Sequence, residues 1–464
     1  MGNGQIVVPQ SGPTAANFRL WGRILSFAAG NTGTLIIVNV GTLLVRMISS
    51  VTLARLLQPS AFGLIGIITS IFYTVVMLTD LGFRAHVIRH PRGSEAHFGN
   101  VIWTIHASRG IFIGAFCIAG SPILAAVLHK PELAWPLAAA SLTLTINGFA
   151  SLSQFTILRA GGARRLSWFE FGLNVVSATN GIILAIWLRN AWSLVIAMIV
   201  ASFLRTVLSY FIFPNAKHRI ARDREISREF LAFSRIVLVS SALTLVLSQA
   251  DRMVLARVFT LSEFGLYAIA INITSGPTSF ASQFISRVAF PIYSKTWNHT
   301  PDRLKHAYYD VGRKTVLAYG FGCGVIVGAA PIIIRLLYDP RYHDAAIFLS
   351  IMMAGGALKM QTQAASDLMT AIGKVGMTVH ANIARLIWLA LAGTAGFLTF
   401  GAMGLIVAVG MIEVPALLYS WYVLRQNGVL SLRHELVYLG TIVCGAALAG
   451  ACTWLLLGLA GRAA

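Results

Sequence analysis

The residues that could do chemistry in this chain are ionisable side chains that stand inside long apolar runs. Arg46 and Lys359 lie near the middle of such runs, and Arg109, Arg205 and Arg385 lie deeper than the run ends require. A charge at membrane depth costs about 3 kcal/mol or more unless it faces protein or water. These cations therefore predict an aqueous cavity that binds an anionic molecule, with Arg46 and Lys359 as the main contacts.

Four acids share this environment. Glu413 lies mid-run, two residues before Pro415, whereas Asp80, Asp251 and Asp367 lie nearer the run ends. Because a proline frees a backbone carbonyl and kinks a helix, a protonatable Glu413 could couple ion movement to a conformational change. We assign all four acids to coupling or gating as a hypothesis.

Uncharged polar residues extend the candidate site. Residues three or four positions apart share one face of a helix, and such polar stripes should face a cavity or another bundle. The stripes are Lys359, Gln363 and Asp367; Asn147, Ser151 and Gln154; and His106 with Arg109. From these stripes we include Asn147, Gln154 and Gln363 as predicted contacts for the cargo.

Structural explanations compete with these functional ones. Arg46 could pair with Glu413 or Asp80 and so hold helices together, and Lys359 could form a structural pair with an Asp. Asp80 and Arg84, four residues apart, favour an intrahelical ion pair over a role in binding. The sequence leaves these alternatives open.

The elements that position these residues are predicted transmembrane helices. Of the 464 residues, 56% are hydrophobic and 11% are charged, well below the charged fraction of soluble proteins, about 25%. Runs of about 20 apolar residues can span a bilayer, and thirteen are found. They cover roughly 32–57, 62–86, 101–128, 134–158, 168–188, 191–213, 232–257, 262–287, 312–338, 344–371, 377–399, 401–424 and 436–459.

The distribution of basic residues supports this span count and sets the orientation. With a cytoplasmic N-terminus, 23 of the 36 Lys and Arg residues fall in cytoplasmic segments and seven fall on the opposite side. This asymmetry is the positive-inside pattern of membrane proteins. The net charge of +20 is therefore explained by topology and anionic lipid headgroups, and nucleic-acid binding is not predicted.

An internal repeat indicates how the spans are arranged. Residues 53–64 read LARLLQPSAFGL, residues 255–266 read LARVFTLSEFGL, and seven of the twelve positions match at an offset of 202. The offset equals six spans, so both copies keep one orientation. We predict an all-α polytopic membrane protein with two parallel six-helix bundles, related by a pseudo-two-fold axis along the membrane normal, plus one C-terminal span.

The predicted domains follow from this repeat. They are a cytoplasmic N-terminus at 1–31, a first bundle at 32–213, a cytoplasmic linker at 214–231, a second bundle at 232–424 and an extra C-terminal span at 425–464.

The repeated turn also carries a family resemblance. The turn at 53–64, the Asp80-Leu81-Gly82 ending of the second span and the segments 251–253, 264–267 and 287–291 resemble the Wzx-type polysaccharide flippases. These belong to the multidrug/oligosaccharidyl-lipid/polysaccharide exporter superfamily. Family members more often have twelve or fourteen spans than thirteen.

The resemblance implies a function. It implies movement of undecaprenyl-pyrophosphate-linked oligosaccharide repeat units across the bacterial inner membrane, by alternating access, for polysaccharide biosynthesis or export. The expected partners are the lipid-linked oligosaccharide, membrane lipids and polysaccharide polymerase or export machinery, and the chain is expected to be a monomer. A flippase for peptidoglycan lipid precursors and a multidrug exporter of the same superfamily are the alternatives.

Other function classes have less support. The sequence contains no phosphate-binding loop of the G-x-x-x-x-G-K-[ST] type, and no outside loop is long enough for the catalytic residues of a glycan polymerase. We therefore predict neither enzymatic activity nor a cofactor or metal.

Overall fold

The computed structural model describes residues 31–213, 217–374 and 376–463, so the N-terminal segment predicted at 1–31 lies almost wholly outside it. The described residues form seventeen α-helices and no β-strand. In order they are α1 (Asn31–Leu56), α2 (Pro59–Leu78), α3 (Phe83–Arg89), α4 (Ala96–Val127), α5 (Ala134–Gly148), α6 (Ser153–Arg159), α7 (Ala163–Leu188), α8 (Ala191–Ile212), α9 (Arg224–Val258), α10 (Leu261–Phe284), α11 (Phe290–His299), α12 (Leu304–Asp310), α13 (Arg313–Leu337), α14 (Ala345–Ala371), α15 (Gly376–Gly410), α16 (Glu413–Gln426) and α17 (Leu432–Ala463).

These helices form a multi-pass membrane fold. Among the described residues, nine helical stretches are long and apolar enough to cross a membrane, or ten if one bent helix pair counts as a span. One of the nine, Gly376–Gln426, contains a break at Gly401, whose φ of 62° and ψ of −146° are not helical. This break coincides with the predicted boundary between the eleventh and twelfth spans. The twelfth is interrupted again between Gly410 and Glu413.

The second predicted span ends earlier than its hydropathy suggested. Helix α2 stops at Leu78, and the chain turns through Gly82, whose φ of 73° lies in the left-handed region that glycine tolerates. Asp80 stabilises this turn by accepting a 2.9 Å bond from the Gly82 amide. Asp80 and Arg84 thus lie on opposite sides of a break and form no ion pair among the described residues. The predicted intrahelical pair is wrong.

The fourth predicted span is also broken. Helix α5 ends at Gly148, α6 begins at Ser153, and the two axes differ by 51°. Asn147, Ser151 and Gln154 therefore do not form a single stripe on one helix face, contrary to expectation. Ser151 Oγ instead lies 3.0 Å from His218 Nε2 in the segment that leads to α9.

Of the described residues in the predicted linker at 214–231, only the last eight are helical. Helix α9 already begins at Arg224, because the Asp223 side chain caps it by accepting bonds from the Glu225 and Ile226 amides. The chain also stays helical after α10. A π-helical turn at Ile285–Ala289 joins α10 to α11.

The two copies of the repeat contact each other through α2 and α10. A Cβ atom built on Gly63 would lie 1.7 Å from the Leu261 carbonyl oxygen, and one built on Gly265 would lie 1.9 Å from that of Pro59. Pro59 and Gly63 precede Leu261 and Gly265 by 202 residues each. The contact is therefore reciprocal, as a two-fold relation between two halves requires.

Two further hydrogen bonds cross between the halves. Asn39 on α1 donates to Gln283 on α10 at 3.1 Å, and Ser241 on α9 donates to Asp80 at 3.2 Å. Asn39 and Ser241 are again 202 residues apart. In each half, the first helix thus reaches the end of the second helix of the other half.

Candidate functional site

A cavity of about 730 Å³ lies between the first half of the chain and α10. Its wall comes mainly from α1, α7 and α8, with single residues or pairs from α2 and α5, and α10 contributes residues between 272 and 277. The polar residues of the wall are Arg46, Ser49, Ser50, Asn147, Asn174, Ser177, Ser202, Arg205, Asn272, Ser275 and Tyr338. Three of the predicted cargo contacts, Arg46, Arg205 and Asn147, are thus brought together.

Arg46 faces this cavity without a carboxylate partner. Its side chain is exposed, and its Nε donates a long bond of 3.4 Å to Asn174 Oδ1. Among the described residues it forms no ion pair, so the alternative pairings with Glu413 and Asp80 are absent. A guanidinium carries five N–H donors, and most of those on Arg46 therefore remain available to an anion.

Arg205 forms an ion pair with Glu170 across α8 and α7. The two side chains are 38% and 36% exposed, and the Arg205 side chain lines the cavity. Sequence reasoning missed Glu170 because it stands at the edge of the predicted span 168–188, where a carboxylate needs no special explanation. Its spacing from Arg205 across two helices left no periodic signal.

Asn147 lines the cavity and carries one amide atom that the described residues do not satisfy. Its amide nitrogen donates to Ser202 Oγ at 3.4 Å, while its buried Oδ1 has no hydrogen-bond partner among the described residues. An unsatisfied buried acceptor costs about 1–3 kcal/mol.

Arg385 and Glu413 form the corresponding ion pair in the second half, at 2.6 Å. Glu413 also accepts a 2.7 Å bond from Thr362, and Arg385 donates to Asn382 at 2.8 Å. The side chains are only 20% and 13% exposed, and neither lines the 730 Å³ cavity. The pair joins α15 to α16, and these contacts fix the position of the Glu413 carboxylate.

Lys359 lies on α14 apart from Arg46. It is half-buried and outside the cavity wall, and its ammonium has no bond or ion pair among the described residues. Gln363 donates to Asp367 at 2.9 Å, so the predicted stripe exists in part. The alternative pairing of Lys359 with Asp367 is not formed.

The other predicted residues make contacts between helices. Arg109 donates to the Thr79 and Val76 carbonyls at 2.6 and 2.9 Å and thereby satisfies the end of α2. Asp251 accepts a 2.6 Å bond from the Tyr267 hydroxyl, which ties α9 to α10. Gln154, on α6, does not belong to the cavity wall.

The segment between the halves contains one perturbed histidine. The Leu152 amide donates to His218 Nε2 at 3.2 Å, and burial lowers the pKa of His218 to about 4. Because Nε2 accepts a bond, the ring is neutral at pH 7.

No three His, Cys, Asp or Glu side chains in the described part of the chain lie close enough together to hold a metal ion.

Sequence comparison identifies relatives over most of the chain. Residues 52–347 match the model of a family described as "Polysaccharide biosynthesis protein". The chain is 20% identical to the "Lipopolysaccharide biosynthesis protein WzxC" of Escherichia coli, over 84% of this chain and 78% of that protein. It is 21% identical to the "Succinoglycan biosynthesis transport protein ExoT" of Rhizobium meliloti, over 86% and 80%. A "membrane protein in cps region" of Klebsiella pneumoniae is 23% identical over 79% and 78%.

Solved structures share the fold. A lipid II flippase MurJ in an inward closed conformation superposes with a TM-score of 0.69 at 14% identity, over 92% of this chain and 98% of that one. An inward-facing multidrug resistance MATE family transporter superposes with a TM-score of 0.61 at 13% identity, over 85% and 95%. At these identities the likeness concerns the fold.

Proposed function

The chain belongs to the polysaccharide biosynthesis protein family, and from this premise we propose that it is a flippase for lipid-linked oligosaccharides. Its cargo is an undecaprenyl-pyrophosphate-linked repeat unit, which it moves from the cytoplasmic to the periplasmic side of the inner membrane. Relatives named for lipopolysaccharide and succinoglycan biosynthesis support a role in polysaccharide biosynthesis or export. It is a transporter and not an enzyme.

One observation carries this proposal: Arg46, without a carboxylate partner, lies in the wall of a cavity of about 730 Å³ whose other polar residues are Arg205, three asparagines, five serines and Tyr338. The pyrophosphate is the anionic part of the cargo, and guanidinium groups bind phosphate oxygens through charge-assisted bonds. Amides and hydroxyls bind uncharged sugar hydroxyls. The cavity thus offers both kinds of contact that a glycan pyrophosphate requires.

Within this cavity, Arg46 neutralises the phosphate and Asn147 accepts from the glycan. Alternating access then requires the two halves to rock against each other across the contact between α2 and α10. If the halves also separate sideways, the polyprenyl tail never leaves the bilayer. Arg46 acts by replacing the hydration that the pyrophosphate loses on entry.

The remaining sequence predictions enter this proposal as positions to test. Lys359, Arg385, Arg109, Gln154 and Gln363 are candidate cargo contacts outside the cavity wall. The coupling or gating candidates are Asp80, Asp251, Asp367 and Glu413. We further propose a cytoplasmic N-terminus, the domain boundaries given above, a monomer, and contact with polysaccharide polymerase or export machinery.

A peptidoglycan-precursor flippase is the second candidate, favoured by the fold likeness to the lipid II flippase. Its cargo carries the same polyprenyl pyrophosphate, so the cavity suits both. The fold likeness to a multidrug transporter gives less support to drug export, because a cationic drug would be repelled by Arg46.

The test is replacement of Arg46 in cells that lack the native gene. Arg46→Gln removes a charge-assisted contact worth about 1.5–3 kcal/mol, so polysaccharide export should fall about tenfold or more while lipid-linked oligosaccharide accumulates in the cytoplasmic leaflet. Arg46→Lys should retain part of the export. Arg335→Gln, an exposed position outside the cavity wall, is the matched control. Normal export by Arg46→Gln at normal membrane abundance would contradict the proposal.

A further inference from the structure

We propose that Glu170 is an internal competitor of the cargo: it occupies the Arg205 guanidinium until the cargo phosphate displaces it, and it reclaims Arg205 when the cargo leaves. This inference rests on the proposed function and adds a residue that sets affinity and release. Glu170 would touch Arg205 rather than the cargo, so it is a positioning residue.

The position of the ion pair supports exchange. Arg205 belongs to the cavity wall, and Glu170 contacts it from the neighbouring helix α7. Both side chains are more than one third exposed, at 38% and 36%. Neither side chain is buried, and Arg205 lines the cavity, so an anionic group that enters the cavity can reach Arg205 and compete with Glu170.

Asn174 links this pair to Arg46. It lies one turn after Glu170 on α7, and its amide nitrogen donates to the Glu170 backbone carbonyl at 2.7 Å. Its Oδ1 accepts from Arg46 Nε. Arg46 and Arg205 thus contact successive turns of the same helix, and both line the same cavity.

The exchange predicts a division of labour between the two cations. Arg46 is available to the phosphate at all times, whereas Arg205 is available only after Glu170 gives it up. Competition by Glu170 weakens cargo binding, and its return to Arg205 promotes release. Removing the carboxylate should therefore tighten binding and slow turnover, a combination that simple loss of a structural contact would not produce.

The experiment measures binding and translocation by the purified full-length protein. Farnesyl pyrophosphate is the probe, and farnesol, which lacks the phosphates, is the control ligand. Glu170→Gln should bind the probe about fivefold more tightly, the equivalent of about 1 kcal/mol, and Arg205→Gln should bind it more weakly. In the double variant the gain from Glu170→Gln should vanish, because Glu170 acts through Arg205. Glu132→Gln, an exposed residue outside the cavity wall, is the matched control.

Translocation of a labelled polyprenyl pyrophosphate by the protein in vesicles gives the second measurement. Glu170→Gln should lower both KM and kcat, and Glu170→Asp, which keeps the carboxylate, should stay near the native values and also guards against misfolding of the Gln variant. Equal affinity of the native protein and Glu170→Gln, or a gain that persists without Arg205, would overturn the inference while leaving the proposed function intact. Binding that does not depend on the phosphates in any variant would overturn the proposed function, and this inference with it.

Discussion

The two halves of the molecule carry related ion pairs with exchanged charges. In the first half Glu170 on α7 pairs with Arg205 on α8, whereas in the second half Arg385 on α15 pairs with Glu413 on α16. The first pair joins the fifth and sixth predicted spans, and the second joins the eleventh and twelfth, which are the fifth and sixth of the second half. The first pair is 38% and 36% exposed beside the large cavity, and the second is 20% and 13% exposed.

This difference separates two uses of charge in a membrane protein. The first pair is less buried and includes a cavity-lining residue, Arg205, so the proposed exchange of partners requires little burial to be undone. The second pair is withdrawn from water and held by Thr362 and Asn382, so separating it would leave a charge without compensation. We propose that the first half binds the cargo; the contacts of the second pair join α15 to α16, and substitution of its members tests its roles in cargo binding and coupling.

The largest expected effect distinguishes these two pairs by stability. Arg385→Met removes one partner of the more enclosed pair and should lower the free energy of unfolding by about 3 kcal/mol. Arg205→Met should lower it by about 0–1 kcal/mol, because the first pair is exposed. Thermal unfolding of the purified variants in detergent measures both. Equal losses would remove the distinction between the pairs.

The reciprocal glycine contact tests whether the halves are related by two-fold symmetry. Gly63→Ala and Gly265→Ala each place a methyl group against a carbonyl oxygen, at 1.7 and 1.9 Å. We expect similar losses of about 1–3 kcal/mol each. Gly172→Ala is the matched control, since nothing lies within 4 Å of its added Cβ, and it should not destabilise the protein. A large effect at one glycine only would argue against a symmetric contact.

The hydrogen bond between Tyr267 and Asp251 belongs to the second half and has no counterpart at the equivalent positions of the first half. Tyr267→Phe removes the donor to Asp251 and should cost about 1.5 kcal/mol. At the offset of 202 the first half has Ile65 and Ser49 in these positions, so Ile65→Val, as the matched change, should cost less. The unfolding midpoints of the two variants, each compared with the native protein, check this prediction. An unchanged midpoint for Tyr267→Phe would contradict the hydrogen bond.

The smallest expected effect concerns pH and the segment between the halves. The pKa of His218 is about 4 in the folded protein, below the value of about 6.5 for an unperturbed histidine. Between these values the unfolded chain binds more protons, so stability is present above pH 6.5 and falls as the pH drops towards 4. We expect a loss on the order of 1 kcal/mol at pH 5, allowing for solvent screening.

Replacement of His218 provides the control for this pH effect. His218→Asn should be less stable at pH 7.5, because the contacts with Ser151 and Leu152 are weakened, but its additional loss at pH 5 should be smaller. Unfolding midpoints at the two pH values decide the point. If His218→Asn keeps the same pH dependence of stability, that dependence arises from another titratable group.

Most of the fold could be predicted from the sequence, because length and hydropathy alone determine where a helix can span a bilayer. The break at Gly401 was also predictable from glycine spacing. The ends of the second and fourth spans were not, since Leu78 and Gly148 are followed by further apolar residues. There the chain turns for reasons of tertiary packing and local capping, which hydropathy does not record.

The candidate site could be predicted only in part. Arg46 was identifiable because a cation in mid-span needs an explanation. Glu170 was not, because it stands near a span end. Arg109 satisfies the carbonyls at the end of α2, and a sequence cannot distinguish a helix-capping arginine from a cargo-binding one. Lys359 remains a predicted cargo contact that lies outside the cavity wall.

Where the cargo binds is the most direct test of this account. A polyprenyl pyrophosphate that carries a photoreactive group beside its phosphates can be crosslinked to the purified protein, and the modified peptides can be identified by mass spectrometry. We predict that crosslinks fall on α1, α7 and α8, that an excess of unlabelled farnesyl pyrophosphate prevents them, and that Arg46→Gln reduces them. Crosslinks concentrated on α14 and α15 around Lys359 and Arg385, unaffected by Arg46→Gln, would contradict the assignment of cargo binding to the first half.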